Sequence, residues 1–366
     1  MTNLLEMRNV TQVFGDADKG GTVAVDNLSY TISADEPSFT AVVGESGSGK
    51  TTIARILLGF QMPSQGQVLY RGHDLASAPG AISHQFRREV QAVFQDPFEV
   101  YNPFYKVDHI LEVPIKKFKL ASGRAQTRTL MEEALQRVGL RPEETLGRYP
   151  HQLSGGQRQR ITVARAILLK PRLIVADEPV SMVDASLRAS ILQTLRSLNE
   201  DLGISFVYIT HDLTTAYQVS DNILVLYRGR IAEMGDVEHV IKNPQHPYTQ
   251  LLVGSIPLPD PNRRWGEHVV AATSDELEAS RKGCLFASRC PHVMDQCTAS
   301  VPPMYQIERH RAAACFLAPQ AQSLDLSTVE GDVTGVFRSP ERLLNGSGAS
   351  VGSLADPPTA GALPPS

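Results

Sequence analysis

The chain has 366 residues, of which 42% are hydrophobic and 20% charged, and its formal net charge is −4 at pH 7. This composition is ordinary for a globular protein, and with a small negative net charge no global basic field argues for binding to nucleic acid or an anionic membrane surface. There is no apolar run of bilayer-spanning length and no basic-then-apolar signal segment, so we expect a cytoplasmic protein that reaches a membrane only through another protein.

Three short apolar segments, at 38–43, 173–176 and 205–210, end at polar residues. They are rich in β-branched residues and are separated by stretches of helical length, which predicts buried parallel strands in an α/β domain. Ligand sites in such sheets lie beyond the carboxyl ends of the strands, so the polar residues that follow are candidates for a site. A later segment, 222–233, is interrupted at Gly229 and predicts an antiparallel hairpin.

The first of these strands leads into a glycine-rich segment with the spacing of a phosphate loop between a strand and a helix. Gly47 and Gly49 allow backbone N–H groups to turn inward, toward the negative charge that a helix start also favours. Lys50 would reach the β and γ phosphates, and the Thr51 hydroxyl would bind Mg²⁺. The predicted nucleotide contacts of the loop are Gly44, Glu45, Ser46, Gly47, Ser48, Gly49, Lys50, Thr51 and Thr52.

Two acidic residues and a histidine follow the other two strands. In a chain with a phosphate loop, Asp177 is suited to bind a water ligand of Mg²⁺. Glu178 is suited to act as the general base that activates the attacking water. His211 ends the third strand, where we expect it to contact the γ-phosphate.

The composition divides the chain into three parts. Residues 1–235 carry the phosphate loop and the strands, residues 236–319 are rich in proline and contain all four cysteines, and residues 320–366 are dominated by Gly, Ser, Ala and Pro. We predict a nucleotide-binding domain, a smaller loop-rich unit that gains from a covalent or metal staple, and a disordered tail.

The cysteines are Cys284, Cys290, Cys297 and Cys315. Such a cluster in a cytosolic chain favours metal binding over disulfides, and the absence of a Cys-x2-Cys pair disfavours a zinc ribbon. Four thiolates suit a [4Fe–4S] cluster, with Zn²⁺ and plain buried thiols as alternatives. We expect a structural role, because the cysteines are remote in sequence from every ATP motif.

The segment Leu-Ser-Gly-Gly-Gln at 153–157 resembles the signature of ABC-transporter ATPases. The resemblance implies that Ser154, Gly155 and Gly156, with Gln157, form a second anion-binding site at a helix start. In the family this site grips the γ-phosphate held by the opposite subunit, so the active unit is expected to be a dimer that closes on ATP and Mg²⁺. The second subunit is either identical or a paralogue.

The resemblance assigns further roles. It places Gln95 in a loop that senses the γ-phosphate, Asp184 in the loop that follows Glu178, and Phe14 where an aromatic ring stacks on adenine. It gives Glu178, His211 and Gln95 as catalytic residues, and Thr51, Gln95 and Asp177 as residues around Mg²⁺. The implied fold is an α/β P-loop ABC-type nucleotide-binding domain with a RecA-like core, a helical signature subdomain and an antiparallel β subdomain, followed by a small cysteine-containing C-terminal extension.

The resemblance covers about residues 4–317. It is closest to the oligopeptide, dipeptide and nickel importer ATPases, whose C-terminal extension is similar to residues 243–249, 254–257 and 283–291. That group includes importers of oligosaccharides, and residues 96–108 look more like that branch. The family also points to an iron–sulfur cluster at the cysteines. It implies two integral membrane permease subunits, an extracytoplasmic substrate-binding protein acting indirectly, no nucleic acid, and a peripheral position at the cytoplasmic face of the membrane.

Four aromatic residues lie close together after Gln95: Phe98, Tyr101, Phe104 and Tyr105. They indicate either a helical subdomain with its aromatic rings packed inward or a surface that docks on a permease. On the second interpretation, charge reversal at Glu99 weakens assembly of the complex.

Two other functions remain open. A soluble ABC ATPase of translation or DNA repair would need two ATPase units or a long inserted coiled coil, and the chain has neither. A regulatory protein that uses ATP as a signal would not need the intact Glu178 and His211. We therefore favour an importer subunit.

Overall fold

The computed structural model describes residues 3–15, 21–96, 100–256, 281–318, 322–324 and 336–337. Its strands are β1 (Asn3–Phe14), β2 (Thr22–Ser33), β3 (Phe39–Val43), β4 (Gln65–Tyr70), β5 (His73–Asp74), β6 (Val90–Val93), β7 (Leu173–Asp177), β8 (Ser205–Ile209), β9 (Asn222–Tyr227), β10 (Arg230–Asp236), β11 (Met304–Glu308), β12 (Arg311–Ala313) and β13 (Gln322–Leu324). Its helices are α1 (Lys50–Leu57), α2 (Gly80–Glu89), α3 (Asp108–Lys117), α4 (Arg124–Arg137), α5 (Pro142–Thr145), α6 (Gly155–Ile167), α7 (Ala185–Leu202), α8 (Leu213–Val219), α9 (Val237–Lys242), α10 (Pro247–Gly254) and α11 (Asp295–Ala299).

The larger sheet has the strand order β13-β11-β12-β10-β9-β3-β8-β7-β6. Strands β6, β7, β8, β3 and β9 run parallel to one another. The three predicted strands are confirmed as β3, β7 and β8, and β3 and β8 are buried along their whole length, which explains their unbroken apolar sequences. Because they are parallel neighbours, the polar residues that follow them meet at one edge of the sheet. The predicted hairpin is confirmed as β9 and β10.

A second, antiparallel sheet of order β2-β1-β4-β5 lies beside α1, and the helices α3 to α6 form a helical region between β6 and β7. The predicted arrangement of an α/β core, a helical region and an antiparallel sheet is therefore present. No helix of the described ranges is both long and apolar enough to cross a bilayer.

The C-terminal extension continues the larger sheet. Strand β12 pairs antiparallel with β10, with Met234 opposite Ala312, and β11 pairs with β12. The buried carboxylate of Glu233 accepts backbone hydrogen bonds from Gln245 and His246 at 2.9–3.1 Å. The larger sheet therefore extends across the division predicted at residue 235, because β11 and β12 continue it beyond β10.

Two short segments of the predicted tail are described. Residues 322–324 form β13, which pairs with β11. Val336 is buried, and the Phe337 ring meets the Tyr30 ring edge-on at 6.0 Å between centroids. These two segments are held by strand pairing and apolar contact, and the disorder of the tail 320–366 stays a prediction.

Candidate functional site

The phosphate loop closes around the ammonium group of Lys50. This group donates hydrogen bonds to the carbonyl oxygens of Gly44 and Glu45 at 2.7 and 2.8 Å. Burial lowers the pKa of Lys50, while the negative charges of Glu178 and Asp177 act in the opposite direction. A cation held inside a turn of backbone at a helix start is suited to receive phosphate oxygens.

The backbone of the loop requires glycine at two positions. Gly44 and Gly49 have φ angles of 153° and 101°, and a Cβ atom at either would lie 2.2 Å from a carbonyl oxygen, of Leu226 and Ala24 respectively. Gly49 is also the cap of α1. The loop is therefore built against its neighbours, with Ser46 and Gly47 exposed at its tip and Ser48 buried beneath it.

The ends of β7 and β8 bring the other predicted residues to the same edge. Asp177 is hydrogen-bonded to the side chain of Thr51, and burial raises the pKa of Asp177. Glu178 has a left-handed φ of 46°, and its N–H donates to the carbonyl of Ile209 at 2.9 Å. Its Oε1 lies 2.8 Å from Nδ1 of His211. An ordered carboxylate beside an imidazole can bind and activate a water molecule.

The signature segment begins α6. The Ser154 hydroxyl accepts a hydrogen bond from the N–H of Gln157 at 3.2 Å, and the Gln157 side-chain oxygen accepts one from the N–H of Ser154 at 2.9 Å. This reciprocal capping fixes the helix start. Gly156 packs against Leu187, where a Cβ atom would lie 3.0 Å from the leucine side chain, and Asp184 begins α7. The signature therefore lies beside the predicted loop that carries Asp184, since Met182 and Val183 are next to Gly155 and Gly156.

Gln95 is exposed just beyond β6. The preceding residue, Phe94, accepts a hydrogen bond at its carbonyl from the buried side chain of Gln159, at 3.1 Å. This contact ties the segment of Gln95 to α6, and the sequence did not predict it. Phe14 ends β1 and is 43% exposed, so its side chain is accessible for stacking.

The aromatic residues that follow Gln95 divide between the two interpretations. The Tyr101 hydroxyl donates to the carbonyl of Arg158 at 2.9 Å, and its ring packs against the core. Phe104 and Tyr105 are 86% and 51% exposed. Tyr105 lines an open groove of about 240 Å³ with Val113 and others. Phe98 and Glu99 lie outside the described residues.

All four cysteines line one small cavity. Burial raises the pKa of Cys284, Cys290 and Cys315, the last to about 11, and backbone N–H groups near each of these thiols donate hydrogen bonds to the sulfur. Within the described ranges, no three or more His, Cys, Asp or Glu side chains stand in a ready metal-binding arrangement. The donor set nonetheless fits a thiolate metal site, because buried thiols with N–H donors need only a cation to hold them ionised.

The extension also touches the phosphate loop, which the sequence did not predict. Arg289 donates two hydrogen bonds to the carboxylate of Glu45, and the Tyr248 hydroxyl accepts one from the N–H of Glu45. The cysteines are remote in sequence from the ATP motifs, but Arg289, the residue before Cys290, contacts the loop. One signal was available: an acidic residue in a loop that binds anions needs a cation beside it.

Comparison with known proteins places the chain in a family. Residues 25–181 match the family model described as ABC transporter, and residues 232–297 match one described as oligopeptide/dipeptide transporter, C-terminal region. A protein of Sinorhizobium fredii named "Probable peptide ABC transporter ATP-binding protein y4tS" is 39% identical over 304 residues, which cover 83% of this chain and 85% of the relative. The dipeptide transport ATP-binding protein DppF of Haemophilus influenzae is 38% identical over 294 residues, which cover 80% of this chain and 88% of the relative.

A solved structure is also similar. The dimeric post-hydrolysis state of the ATP-binding cassette MJ0796, bound to ADP and Pi, aligns with a TM-score of 0.56 and 28% identity, covering 64% of this chain and 98% of that chain. The predicted ABC cassette fold is confirmed. The chain therefore belongs to the ATP-binding proteins of ABC transporters, which makes it an ATPase whose hydrolysis of ATP is coupled to transport.

Proposed function

We propose that the chain powers an importer of peptides or small oligosaccharides. The observation that carries the ATPase part is the meeting of three strand ends at one edge, where Lys50, Asp177 and the Glu178–His211 pair face the phosphate loop. The match of 232–297 to the C-terminal region of oligopeptide and dipeptide transporters supports the importer part.

We assign a role to each residue of this edge. Lys50 and the N–H groups of the loop 44–52, apart from those of Glu45 and Ser48, which donate within the protein, hold the β and γ phosphates. Thr51, Asp177 and Gln95 would hold Mg²⁺, and the ion when bound would supply positive charge next to the phosphates. Glu178 accepts a proton from the attacking water, and His211 contacts the γ-phosphate.

The complete site requires a second ATPase subunit. Ser154 is exposed at the start of α6, where it and the N–H groups of Gly155 and Gly156 can receive the γ-phosphate held by a partner chain. Ser154→Arg is expected to prevent ATP-dependent dimerisation, measured by light scattering, while nucleotide binding to the single chain persists. Ser77→Arg, at an exposed site in the antiparallel sheet region, is the control. Dimers of the Ser154→Arg variant in ATP would contradict the assignment.

Exposed aromatic residues of the helical region are the proposed docking surface for a permease. Phe104 and Tyr105 are exposed to solvent, and Tyr105 lines the groove with Val113. Exposed apolar patches of this kind mark interaction sites. Docking there would hold the chain at the cytoplasmic face of the membrane. Phe104→Ala is expected to reduce co-purification with the permease subunits, whereas Leu202→Ala, at the exposed end of α7, should not. Equal recovery of both variants would reject this surface.

The cargo is tested by reconstitution. The chain, its permease subunits and each candidate binding protein would be assayed for ATPase stimulation by peptides and by α- and β-linked oligosaccharides. Stimulation by peptides alone supports the peptide branch, to which the names of the relatives point. Stimulation by sugars alone supports the oligosaccharide branch suggested by residues 96–108. No stimulation by either class would contradict the proposed import of these cargoes.

We further propose that Cys284, Cys290, Cys297 and Cys315 hold a [4Fe–4S] cluster, with Zn²⁺ as the alternative. Such a group supplies four bonds that tie together segments of an extension with few secondary-structure elements. Anaerobic purification followed by iron, sulfide and zinc analysis distinguishes the two. A chain that contains neither metal would leave the thiols as plain buried cysteines.

A further inference from the structure

The cysteine segment of the extension lies directly against the phosphate loop. In Arg289, the residue before Cys290, Nη1 lies 3.0 Å from Oε2 of Glu45 and Nη2 lies 3.0 Å from its Oε1. This paired geometry is the one in which a guanidinium holds a carboxylate most firmly. The Arg289 side chain is 14% exposed and that of Glu45 is 40% exposed, so the pair is partly shielded from water and salt on the Arg289 side.

Glu45 holds the loop at three points. Its carbonyl accepts hydrogen bonds from Nζ of Lys50 at 2.8 Å and from the N–H of Ser48 at 3.1 Å. Its N–H donates to the Tyr248 hydroxyl at 2.8 Å, and its carboxylate is held by Arg289. Two of these attachments, Tyr248 and Arg289, come from the C-terminal extension. A displacement of Arg289 therefore reaches Lys50 through a single intervening residue.

The cysteines set the direction of Arg289. The N–H of Ala287 donates to the carbonyl of Cys284 at 3.1 Å, and the N–H of Cys290 donates to the carbonyl of Ala287 at 3.3 Å. The segment is thus a compact turn that starts and ends at a cysteine. The guanidinium lies 5.5 Å from the ring centre of the buried Phe286 and 5.9 Å from that of Tyr227, which orients it further.

The charge of Glu45 gives the pair a function. A carboxylate in the phosphate loop repels the phosphates of a nucleotide, and the repulsion is larger where water is partly excluded. Arg289 neutralises that charge and holds the carboxylate in place. Without Arg289, the loop would carry an unbalanced negative charge next to its ligand.

We propose that Arg289 is a positioning residue for the phosphate loop, and that the cysteine segment sets the affinity for MgATP through it. The proposal rests on the proposed function in taking 44–52 as the ATP site and the four cysteines as one site. Arg289 contacts Glu45 and no catalytic residue, since Glu178 and His211 come from the ends of β7 and β8. It therefore affects the binding of MgATP and not the chemical step.

The first experiment measures the dissociation constant of MgATP by calorimetry, and KM and kcat for ATP, on the full chain. Arg289→Gln is expected to raise the dissociation constant and KM about tenfold while kcat stays within about twofold, the size expected for a lost charge-assisted pair. Arg289→Lys, which keeps the charge without the paired geometry, should lie between. Arg71→Gln is the matched control, because Arg71 donates twice to Glu89, at 3.1 and 2.8 Å, outside the ATP site.

A second variant separates positioning from a general loss of structure. Adding Glu45→Gln to Arg289→Gln removes the unbalanced carboxylate, so the double variant should bind MgATP more tightly than Arg289→Gln alone. A merely structural role would give no such recovery. Wild-type affinity in Arg289→Gln, or no recovery in the double variant, would overturn the role of Arg289.

The link to the cysteines is tested by Cys290→Ala in the wild type and in Arg289→Gln, and by anaerobic chelation of both parent proteins, with circular dichroism as a check of folding. Each treatment should weaken MgATP binding in the wild type and cause no further loss in Arg289→Gln. Equal losses in both would overturn the link. A wild type that does not bind MgATP would instead contradict the proposed ATP site, and a wild type without metal would contradict only the metal site, since Cys290→Ala still tests the link.

Discussion

The carboxyl edge of the parallel strands and the C-terminal extension contribute to the same phosphate loop by different routes. At the strand edge, Asp177 ends β7, Glu178 follows it, His211 lies two residues beyond β8, and the loop follows β3 directly. In the extension, Tyr248 and Arg289 contact Glu45 across 203 and 244 positions of the chain. Functional residues that lie next to a strand can be recognised in the sequence. Contacts made by a segment far away in the chain can be recognised only once the fold is known.

The substitution with the largest expected effect tests whether ATP turnover depends on the residues at the strand ends and not on the extension. Glu178→Gln keeps the shape of the side chain but removes the base, so turnover should fall about 10²- to 10⁴-fold. MgATP binding should persist, because the loop and Arg289 are unchanged. Phosphate release and calorimetry measure the two quantities, with Glu200→Gln, on the exposed part of α7, as control. Turnover within tenfold of wild type would remove Glu178 from the chemical step.

A second substitution tests how firmly the loop is built against its surroundings. Gly49→Ala places a methyl group 2.2 Å from the carbonyl oxygen of Ala24 at a φ of +101°, and should lower the free energy of unfolding by about 2–4 kcal/mol. Gly72→Ala has a φ of +80° with no atom within 4 Å, and should cost about 1 kcal/mol. Urea unfolding compares them, and equal losses would mean that the close approach is not a constraint.

A third substitution tests how the extension is attached. Arg311 is buried and donates to the carbonyls of His239 and Asn243 at 3.1 and 2.7 Å. Arg311→Leu removes these two bonds and the bond to Glu308, while the two carbonyls keep bonds from Asn243 and Gln245, so the free energy of unfolding should fall by about 1–3 kcal/mol.

The matched control for that substitution is Arg309→Leu, at the exposed neighbouring turn. Limited proteolysis locates the change: cleavage in the extension before the cassette would sharpen the contrast between the two regions. Simultaneous cleavage of both would show that they unfold as one unit.

The smallest effect concerns the junction where Phe337 packs on Tyr30. Burial raises the pKa of Tyr30 to about 12 from 10.0. The folded-state pKa of Tyr30 is higher than the unfolded-state pKa. The contribution of the buried, neutral Tyr30 to the free energy of unfolding is therefore complete below pH 10 and is lost as the pH rises through 12. At about pH 11 the free energy of unfolding of the wild type should therefore be lower by about 1.4 kcal/mol because of Tyr30, and Tyr30→Phe should not show this decrease. Urea unfolding at pH 9 and 11 measures it, and parallel losses in both proteins would contradict the assignment.

Much of the cassette could be predicted from local patterns. The three strands, the loop 44–52, the hairpin at 222–233 and the helix start at Ser154 were each marked by a few adjacent residues, since strand burial, glycine conformation and helix capping depend mainly on near neighbours. The residues predicted at the three strand ends do lie together.

The rest could not be predicted, because it depends on which segments the fold brings together. The bond from Gln159 to Phe94 spans 65 positions, and nothing in the sequence around either residue indicates it. The pairing of β12 with β10 likewise joins residues far apart in the chain. A three-residue strand such as β12 carries too little periodicity to be recognised alone, so the extension was expected to be a separate unit.

The pairing of β12 with β10 also bears on how the chain can be shortened. A cassette cut after residue 235 would leave β10 without its partner β12, so that groups such as the Ala232 carbonyl, which now accepts from the N–H of Ala314, would lie on an open strand edge. Such edges recruit strands from other molecules and promote aggregation. The extension therefore covers this edge of the sheet. Aggregation of a truncated cassette would report an exposed edge and not a defect in its ATP site.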